Sequence, residues 1–338
     1  MSEANIMTNR LIAALFGAAL LAPMAARADM PAETRTVVQQ DVDCDRACLY
    51  GIADQYMKAL VAKDPKAAPF AKTVRFSENF VMMPLGEGAW NTADGVGPSF
   101  KLADVKQGQV GWVGTINERG VNAVYSMRLR VKDHQITEVE SVVSRKGVTT
   151  PYGDVDKYYV PPVITEVVPV AKRRLRDRMV SIADGYFDTL QLNDGVLFTS
   201  FTPDCSRREN ATWTASDPKP DPNAALSRFG SLTCEEGFTR GNYRWDDRLR
   251  ERRYPLVDEE LGIVLSTVFI DHAGLLQTYD TTDGKTQVAG QKSPHSFAMM
   301  ELFKIVDGKI RHAEAVFLTV PYRMPTPWID HPIWPGQR

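Results

Sequence analysis

The chain has 338 residues, of which 43% are hydrophobic and 24% are charged, and its formal net charge is −2. These values are ordinary for globular proteins and exclude a disordered chain. A charge this close to zero argues against nucleic acid or an anionic membrane surface as a partner.

The first residues predict an export signal. Arg10 precedes the apolar run 11–21, and an Ala-Arg-Ala motif ends at Ala28. We expect residues 1–28 to be a signal peptide cleaved after Ala28, and the mature protein to be periplasmic or secreted. The apolar run is shorter than the roughly 20 residues that cross a bilayer, and a retained anchor is the alternative. After processing we expect no membrane association.

The next region predicts one helix followed by strands. Apolar residues at helical spacing indicate a helix over 46–62. Alternating residues predict strands over 74–83, 109–116, 122–131 and 136–145, with an irregular stretch after Gly88. We place a first domain at 44–146 and a proline-containing linker at 147–171.

The second region repeats this order in a second domain, 172–320, and ends in a Pro/Trp-rich tail, 321–338. We predict helices over 173–190 and near 227–237, a short segment at 197–201, and a flexible polar loop at 278–292. Strands are predicted over 262–272, 296–306 and 309–319. The basic runs at 172–174 and 248–253 contain or adjoin acidic residues, and we interpret them as solvated helix faces.

Short motifs show that the two regions are copies. Ile52-Ala-Asp-Gln-Tyr56 recurs as Ile182-Ala-Asp-Gly-Tyr186, an offset of 182 − 52 = 130. Glu78-Asn79 recurs as Glu209-Asn210 (209 − 78 = 131), and the hairpin residue Asp133 recurs as Asp307 (307 − 133 = 174). The second copy thus carries about 174 − 131 = 43 extra residues. Helices followed by a run of antiparallel strands indicate an α+β fold.

These motifs resemble a known superfamily. A leading Ile-Ala-Asp-x-Tyr helix and a closing Phe-Lys-Ile-Val-Asp-Gly-Lys-Ile-Arg hairpin (303–311) are similar to those of NTF2-like or SnoaL-like domains. The chain is also similar to secreted tandem proteins of that type, most of them uncharacterised. The resemblance implies two tandem cone-shaped domains, each with helices packed on a curved antiparallel sheet, and a small-molecule site in the mouth of a cone. It fixes the fold more firmly than the function.

Four cysteines in an exported chain favour disulfides. The local pairing, Cys44 with Cys48 and Cys205 with Cys234, gives one bridge per domain, although the sequence permits three connectivities. Cys-x3-Cys with no nearby histidine or second cysteine pair gives little support for zinc. We expect no metal site.

Two residues unique to the second copy are candidate proton-transfer groups. His272 ends an apolar strand, and histidine titrates near neutral pH. Strand alternation places it opposite to its neighbour Asp271, so that only one of the two points into the cone, and the sequence does not show which. Glu301 lies on an apolar strand face where the first copy has Met127, and burial there would raise its pKa. A solvent-facing histidine and a rim salt bridge are the structural alternatives.

A polar cluster offers further candidates. Arg208 stands where the first copy has Ser77 and is a candidate for stabilising an oxyanion. Glu209 is a candidate catalytic acid or base, although Glu209 and Asn210 repeat in the first copy and suit a structural turn. The candidate substrate-binding residues are Tyr186, Asp271, Asn210 and His312.

The resemblance and these residues together predict a cofactor-independent lyase, dehydratase or isomerase. Its substrate would be a small oxygenated molecule, with aromatic compounds as one class; cleavage of lignin-derived diaryl compounds with loss of formaldehyde is one activity known in the superfamily. The alternative is a non-catalytic periplasmic small-molecule-binding protein. We expect no nucleic-acid partner, and self-association through the sheets is compatible with the fold.

Overall fold

The computed structural model describes residues 44–148, 152–219 and 227–329. The expected signal peptide and the end of the tail lie outside these residues. Within them, none of the helices combines the length and apolar character needed to cross a membrane.

The first half contains one long helix and a six-stranded sheet. The helix α1 spans Arg46–Ala62. The strands are β1 (Phe70–Glu78), β2 (Val81–Met82), β3 (Ala93–Asp104), β4 (Gln109–Glu118), β5 (Val121–Lys132) and β6 (Gln135–Ser144). They are ordered β2-β1-β6-β5-β4-β3, and every neighbouring pair is antiparallel except β1 with β6.

The second half has the same strand order. Among the described residues, the helices of the linker and the second half are α2 (Pro162–Thr165), α3 (Arg176–Leu192), α4 (Ser227–Gly230) and α5 (Cys234–Thr239). The sheet strands are β7 (Phe201–Glu209), β8 (Thr212–Ala215), β9 (Arg248–Asp258), β10 (Ile263–His272), β13 (His295–Val306) and β14 (Lys309–Val320). Their order is β8-β7-β14-β13-β10-β9, again with one parallel pair, β7 with β14. The short hairpin of β11 (Thr278–Asp280) and β12 (Thr286–Val288) stands apart.

Each long helix packs on its own sheet. The Asp45 side chain caps α1 by accepting a hydrogen bond from the Cys48 backbone N–H at 2.8 Å. Ile52, Tyr56 and Leu60 follow at helical spacing, and all three are buried in the core of the first half. Buried residues of α3, including Tyr186, do the same in the second half. The expected α+β architecture of two sheet-and-helix halves is therefore observed.

The two sheets pack against each other through a third apolar core. Phe80, Phe100 and Val113 of the first half share this core with Phe269 and Met300 of the second. The rings of Phe80 and Phe269 meet edge to face at 4.9 Å. Each sheet therefore has one face toward its own helix and the other toward the partner sheet. We call the space between each sheet and its helix the cone of that half, and residue alternation along a strand separates side chains that face this space from inter-sheet side chains.

The C-terminal tail joins the two halves. Trp328 lies among three guanidinium groups, with Arg75, Arg128 and Arg253 at 4.3, 4.8 and 5.5 Å from its ring. Its indole N–H donates to Ser77 Oγ at 2.9 Å. Since Arg253 belongs to β9 and the others to the first half, one aromatic ring contacts both halves.

Both predicted disulfides are present. Cys44 pairs with Cys48 and Cys205 with Cys234, at Cα–Cα distances of 5.3 and 5.8 Å. Two disulfides are compatible with an exported protein.

Two predictions about elements are wrong. The basic run at 248–253 is not a helix face but the start of β9, where the arginines pair in different directions: Arg252 with Asp188 of α3 at 2.7 Å, and Arg253 with Glu140 of β6 at 2.9 Å. Four arginines within six residues hide the alternation of apolar and polar residues by which a strand is recognised. The polar loop 278–292 likewise contains the hairpin of β11 and β12.

Candidate functional site

A cavity of about 110 Å³ opens into the cone of the second half. Its polar lining residues are Arg207, Glu209, Thr214, Asp246 and Gln291. Its aromatic lining residues are Phe229, Tyr243, Trp245, Phe297 and Phe317. Several of these come from 227–247, between β8 and β9, where the second copy carries extra residues. The segment unique to one copy therefore supplies one wall of the cavity.

Arg207 organises the polar wall. Its side chain is 5% exposed, and its Nε donates to Thr214 Oγ1 at 2.9 Å while Nη1 and Nη2 donate to the hydroxyls of Tyr186 at 3.3 Å and Tyr243 at 2.5 Å. Glu209 Oε1 lies 3.3 Å from Nε. A guanidinium in a site shielded from water stabilises developing negative charge more strongly than one in bulk solvent.

Two glutamates beside Arg207 have raised pKa values. Burial and the negative charge of Asp246 raise the pKa of Glu209, against the opposing effect of Arg207. Burial and the charge of Glu209 raise the pKa of Glu301 to about 8, against the effects of Arg207 and the Tyr186 hydroxyl. Glu301 is 2% exposed and lies behind the lining, whereas 23% of the Glu209 side chain is exposed. Of the two, Glu209 is the group that a ligand can reach.

His272 supports the cavity from behind. It is fully buried, and its Nε2 lies 2.8 Å from Oδ1 of the cavity carboxylate Asp246. Its ring stacks on that of His295 at 4.7 Å. The alternation left open by the sequence is now resolved, because His272 lies on the cone side with Ile270 whereas Asp271 lies on the inter-sheet side with Phe269.

The equivalent space in the first half is filled. The repeat offsets place Phe76 at the position of Arg207 (207 − 131 = 76) and Met127 at that of Glu301 (301 − 174 = 127). Both are buried with Trp90, whose ring meets Tyr56 edge to face at 5.3 Å. The first half therefore has apolar side chains at the positions where the second has Arg207 and Glu301.

Several predicted site residues lie away from the cavity. Arg208 is on the opposite face of β7, where Nε binds Glu314 at 2.9 Å and the guanidinium covers Tyr158 at 4.2 Å. His312 joins the same cluster through Glu314 at 3.1 Å. Strand alternation causes this outcome, because Arg208 and Glu314 pair across neighbouring strands on the inter-sheet face.

Two further candidates have structural partners. Asp271 accepts hydrogen bonds from Arg250 Nε at 2.8 Å and Ser296 Oγ at 2.6 Å. The Asn210 side chain binds the backbone N–H and C=O of Phe317, both at 3.0 Å, and the residue has φ +45° in a turn. Among the predicted residues the structure thus brings Glu209, Glu301, His272 and Tyr186 together at the cone, and separates Arg208, Asp271, Asn210 and His312 from it.

Arg207, Tyr243 and Asp246 were missed by the sequence interpretation. Alternation could have found Arg207, because it shares a strand face with Glu209 two residues later. Tyr243 and Asp246 carry no such signal, since they follow the short helix α5 in irregular chain.

The comparisons with known proteins found one family model and several solved structures. A family model described as a domain of unknown function (DUF8021) matches residues 172–317. No curated protein matches the chain.

Three similar solved structures each cover part of the chain. A de novo designed protein with a curved β-sheet is 14% identical, with 30% of this chain and 88% of that one covered and a TM-score of 0.25. An NTF2-like protein of unknown function from Cytophaga hutchinsonii is 15% identical, with 28% and 89% covered and a TM-score of 0.23. AclR, a putative hydroxylase from Streptomyces galilaeus, is 13% identical, with 42% and 90% covered and a TM-score of 0.25.

Proposed function

We propose that the cavity of the second half is the active site of an enzyme that moves a proton on a small oxygenated molecule, as a lyase, dehydratase or isomerase does. One observation carries this proposal: a buried guanidinium, two tyrosine hydroxyls and a carboxylate of raised pKa meet at the wall of one cavity. Such a set supplies a base and an oxyanion site, the two requirements for removing a proton next to a carbonyl group.

In this proposal Glu209 is the general base. It lines the cavity, and a raised pKa makes a carboxylate a stronger base near neutral pH. Arg207 and Tyr243 stabilise the oxygen on which negative charge develops. Glu301, with its pKa near 8, is mostly protonated at neutral pH and adds no full negative charge beside Glu209. These groups perform the proton transfer without a cofactor.

The cavity limits the size of the substrate. Its volume of about 110 Å³ is below the roughly 150 Å³ of a cavity that holds one benzene molecule. A lignin-derived diaryl compound has two rings and a linker and exceeds this space. We therefore favour a substrate whose reacting part is no larger than one small ring. We propose that the protein acts on it outside the cytoplasm.

Hydrogen–deuterium exchange tests the chemistry without knowledge of the product. Purified protein is incubated in D2O, without added cofactor, with a panel of small enolisable ketones, β-hydroxy ketones and enones, and exchange at the α-carbon is followed by NMR. We expect catalysed exchange of at least one compound, and a loss of about 100-fold or more in Glu209→Gln, because general-base catalysis contributes about 10²–10⁴-fold.

The matched control is Glu78→Gln. Glu78 is the repeat equivalent of Glu209 and is 4% exposed, but it lies in the filled first cone. Its variant should keep the exchange rate of the native protein. Equal losses in both variants, or no exchange with any compound, would contradict the proposal.

One observation favours the binding alternative. All three guanidinium nitrogens of Arg207 already have partners within the chain. A ligand retained by the protein without proton exchange would assign the cavity to binding instead of catalysis.

A further inference from the structure

The described residues that line the cavity carry more negative than positive charge. Arg207 is the single cation among them, and Glu209 and Asp246 are both carboxylates. Glu209 is paired with Arg207 at 3.3 Å. Whether the negative charge of Asp246 is balanced within the protein therefore depends on its hydrogen-bond partner, His272.

The geometry of His272 indicates that this histidine is neutral. Its Nε2 is bonded to Asp246 Oδ1, while its Nδ1 is buried and has no hydrogen-bond partner among the described residues. A protonated imidazole would leave a buried N–H without an acceptor, which is costly. The neutral tautomer, with the proton on Nε2, donates to Asp246 and leaves Nδ1 as an unprotonated nitrogen. His272 then orients Asp246 without cancelling its charge.

Glu301 does not reverse this balance. If it is protonated the lining keeps a net charge of −1, and if it is ionised the local charge becomes more negative. A ligand that balances the site is a monocation.

The cavity wall beside Asp246 is aromatic. The rings of Phe229, Tyr243 and Trp245 lie within 5.5–6.0 Å of one another, and all three line the cavity with Asp246. Aromatic faces next to a carboxylate are the surroundings in which proteins bind organic ammonium ions, through cation–π attraction. Within the described part of the chain, Asp246 Oδ2 accepts no hydrogen bond, so this oxygen remains for a ligand.

We infer that the cavity recognises a small organic cation, a quaternary ammonium or protonated amine group held between Asp246 and Trp245, because the Tyr243 ring already contacts the Arg207 guanidinium at 4.7 Å and stacks on Phe229. The size agrees, because a trimethylammonium group has fewer heavy atoms than the benzene molecule that a cavity of about 150 Å³ holds. This inference rests on the proposed function in that it names the substrate class of the same cavity.

The test compares a cation with its neutral isostere. Choline and 3,3-dimethylbutan-1-ol have the same shape, and only choline is charged. Isothermal titration calorimetry should show that the native protein binds choline at least about tenfold more tightly. Asp246→Asn should weaken choline binding by about tenfold or more and leave binding of the alcohol unchanged. A general loss of structure would weaken the binding of both ligands.

Trp245→Leu and Asp307→Asn complete the design. Trp245→Leu keeps an apolar wall but removes the π-face of the indole. The affinity for choline should therefore fall more than the affinity for the alcohol. Asp307→Asn removes one charge from the turn between β13 and β14, which does not line the cavity, and should change neither affinity.

Each outcome decides a separate point. Equal affinity for choline and the alcohol, or no binding of either, overturns the inference. Choline binding without α-proton exchange on any carbonyl compound would support the inference while refuting the proposed catalysis. Exchange on neutral carbonyl compounds with no preference for cations would do the reverse.

Discussion

The same residue type has different roles at equivalent positions of the two halves. Glu78 accepts a hydrogen bond from the Ala89 backbone N–H at 2.8 Å and lies beside Arg145. Glu209, its repeat equivalent, faces a cavity and Arg207. A residue type that recurs in both copies of an internal repeat therefore identifies an equivalent position. The side chains around that position determine whether it can take part in chemistry.

Glu301 gives a pH-dependent prediction at this scale. Burial and Glu209 raise its pKa to about 8, whereas an unfolded chain has a glutamate pKa near 4.3. Between these values the unfolded state has released the proton that the folded state keeps, so stability falls as pH rises from about 4.5 to 8 and is constant above that range. The largest loss is about 5 kcal/mol, since one pKa unit corresponds to about 1.4 kcal/mol.

Glu301→Gln should remove this dependence. The variant should match the native protein near pH 5 and exceed its free energy of unfolding above pH 8, as measured by urea denaturation across the pH range. Parallel pH profiles for the two proteins would show that Glu301 ionises normally.

At the scale of elements, the sequence predicted the helices and strands that have a clear apolar periodicity. It missed strands that depend on pairing with residues distant in sequence. The helix over 46–62 and the strands near 109–118 and 295–306 have uninterrupted apolar periodicity, and their predicted bounds are close to those observed. The strands β3 and β9 were missed, because β3 contains two glycines and a proline and β9 contains four arginines. Their strand form depends on hydrogen bonds and ion pairs to neighbours that are distant in sequence.

The candidate site was predictable to a similar degree. Glu209 and Glu301 were found because they are polar residues in apolar or repeated surroundings. The choice of Arg208 over Arg207 came from comparing the two copies alone, whereas strand alternation separates the two arginines. The carboxylate Asp246 stands in irregular chain, where position relative to the cavity follows only from tertiary packing.

The disulfide Cys205–Cys234 connects strand β7, which carries Arg207 and Glu209 of the cavity wall, to helix α5. Cys205 lies on β7 with Arg207, and Cys234 begins α5, whose Phe238 ring lies 5.5 Å from the Arg207 guanidinium. This bridge spans 29 residues and the Cys44–Cys48 bridge spans four. Loop entropy then gives the longer bridge about 3–4 kcal/mol and the shorter one about 2 kcal/mol.

We therefore expect Cys205→Ala/Cys234→Ala to lose more stability than Cys44→Ala/Cys48→Ala in urea denaturation, and to lose choline binding as well. The shorter bridge lies in the first half and serves as the control. Unchanged choline binding in the Cys205/Cys234 variant would show that the wall keeps its form without the bridge.

At the scale of the molecule, the tail residue Trp328 gives a prediction about cohesion. Trp328→Ala removes a ring shared by three arginines of both halves and a hydrogen bond to Ser77, and should lower the free energy of unfolding by about 1–3 kcal/mol. Trp328→Phe keeps an aromatic face but not the N–H, and should lose less. Equal stability of both variants and the native protein would show that the tail contact does not contribute.

The apolar contact between the two sheets of one chain has a consequence for how the sequence can evolve. In a symmetric homodimer every substitution appears twice, so a mutation that fills one cone fills both. Here the two sheets belong to one gene product, and Trp90, Phe76 and Met127 occupy the first cone without any effect on the composition of the second. One half can thus fill its cone with apolar side chains while the other keeps charged residues in its own.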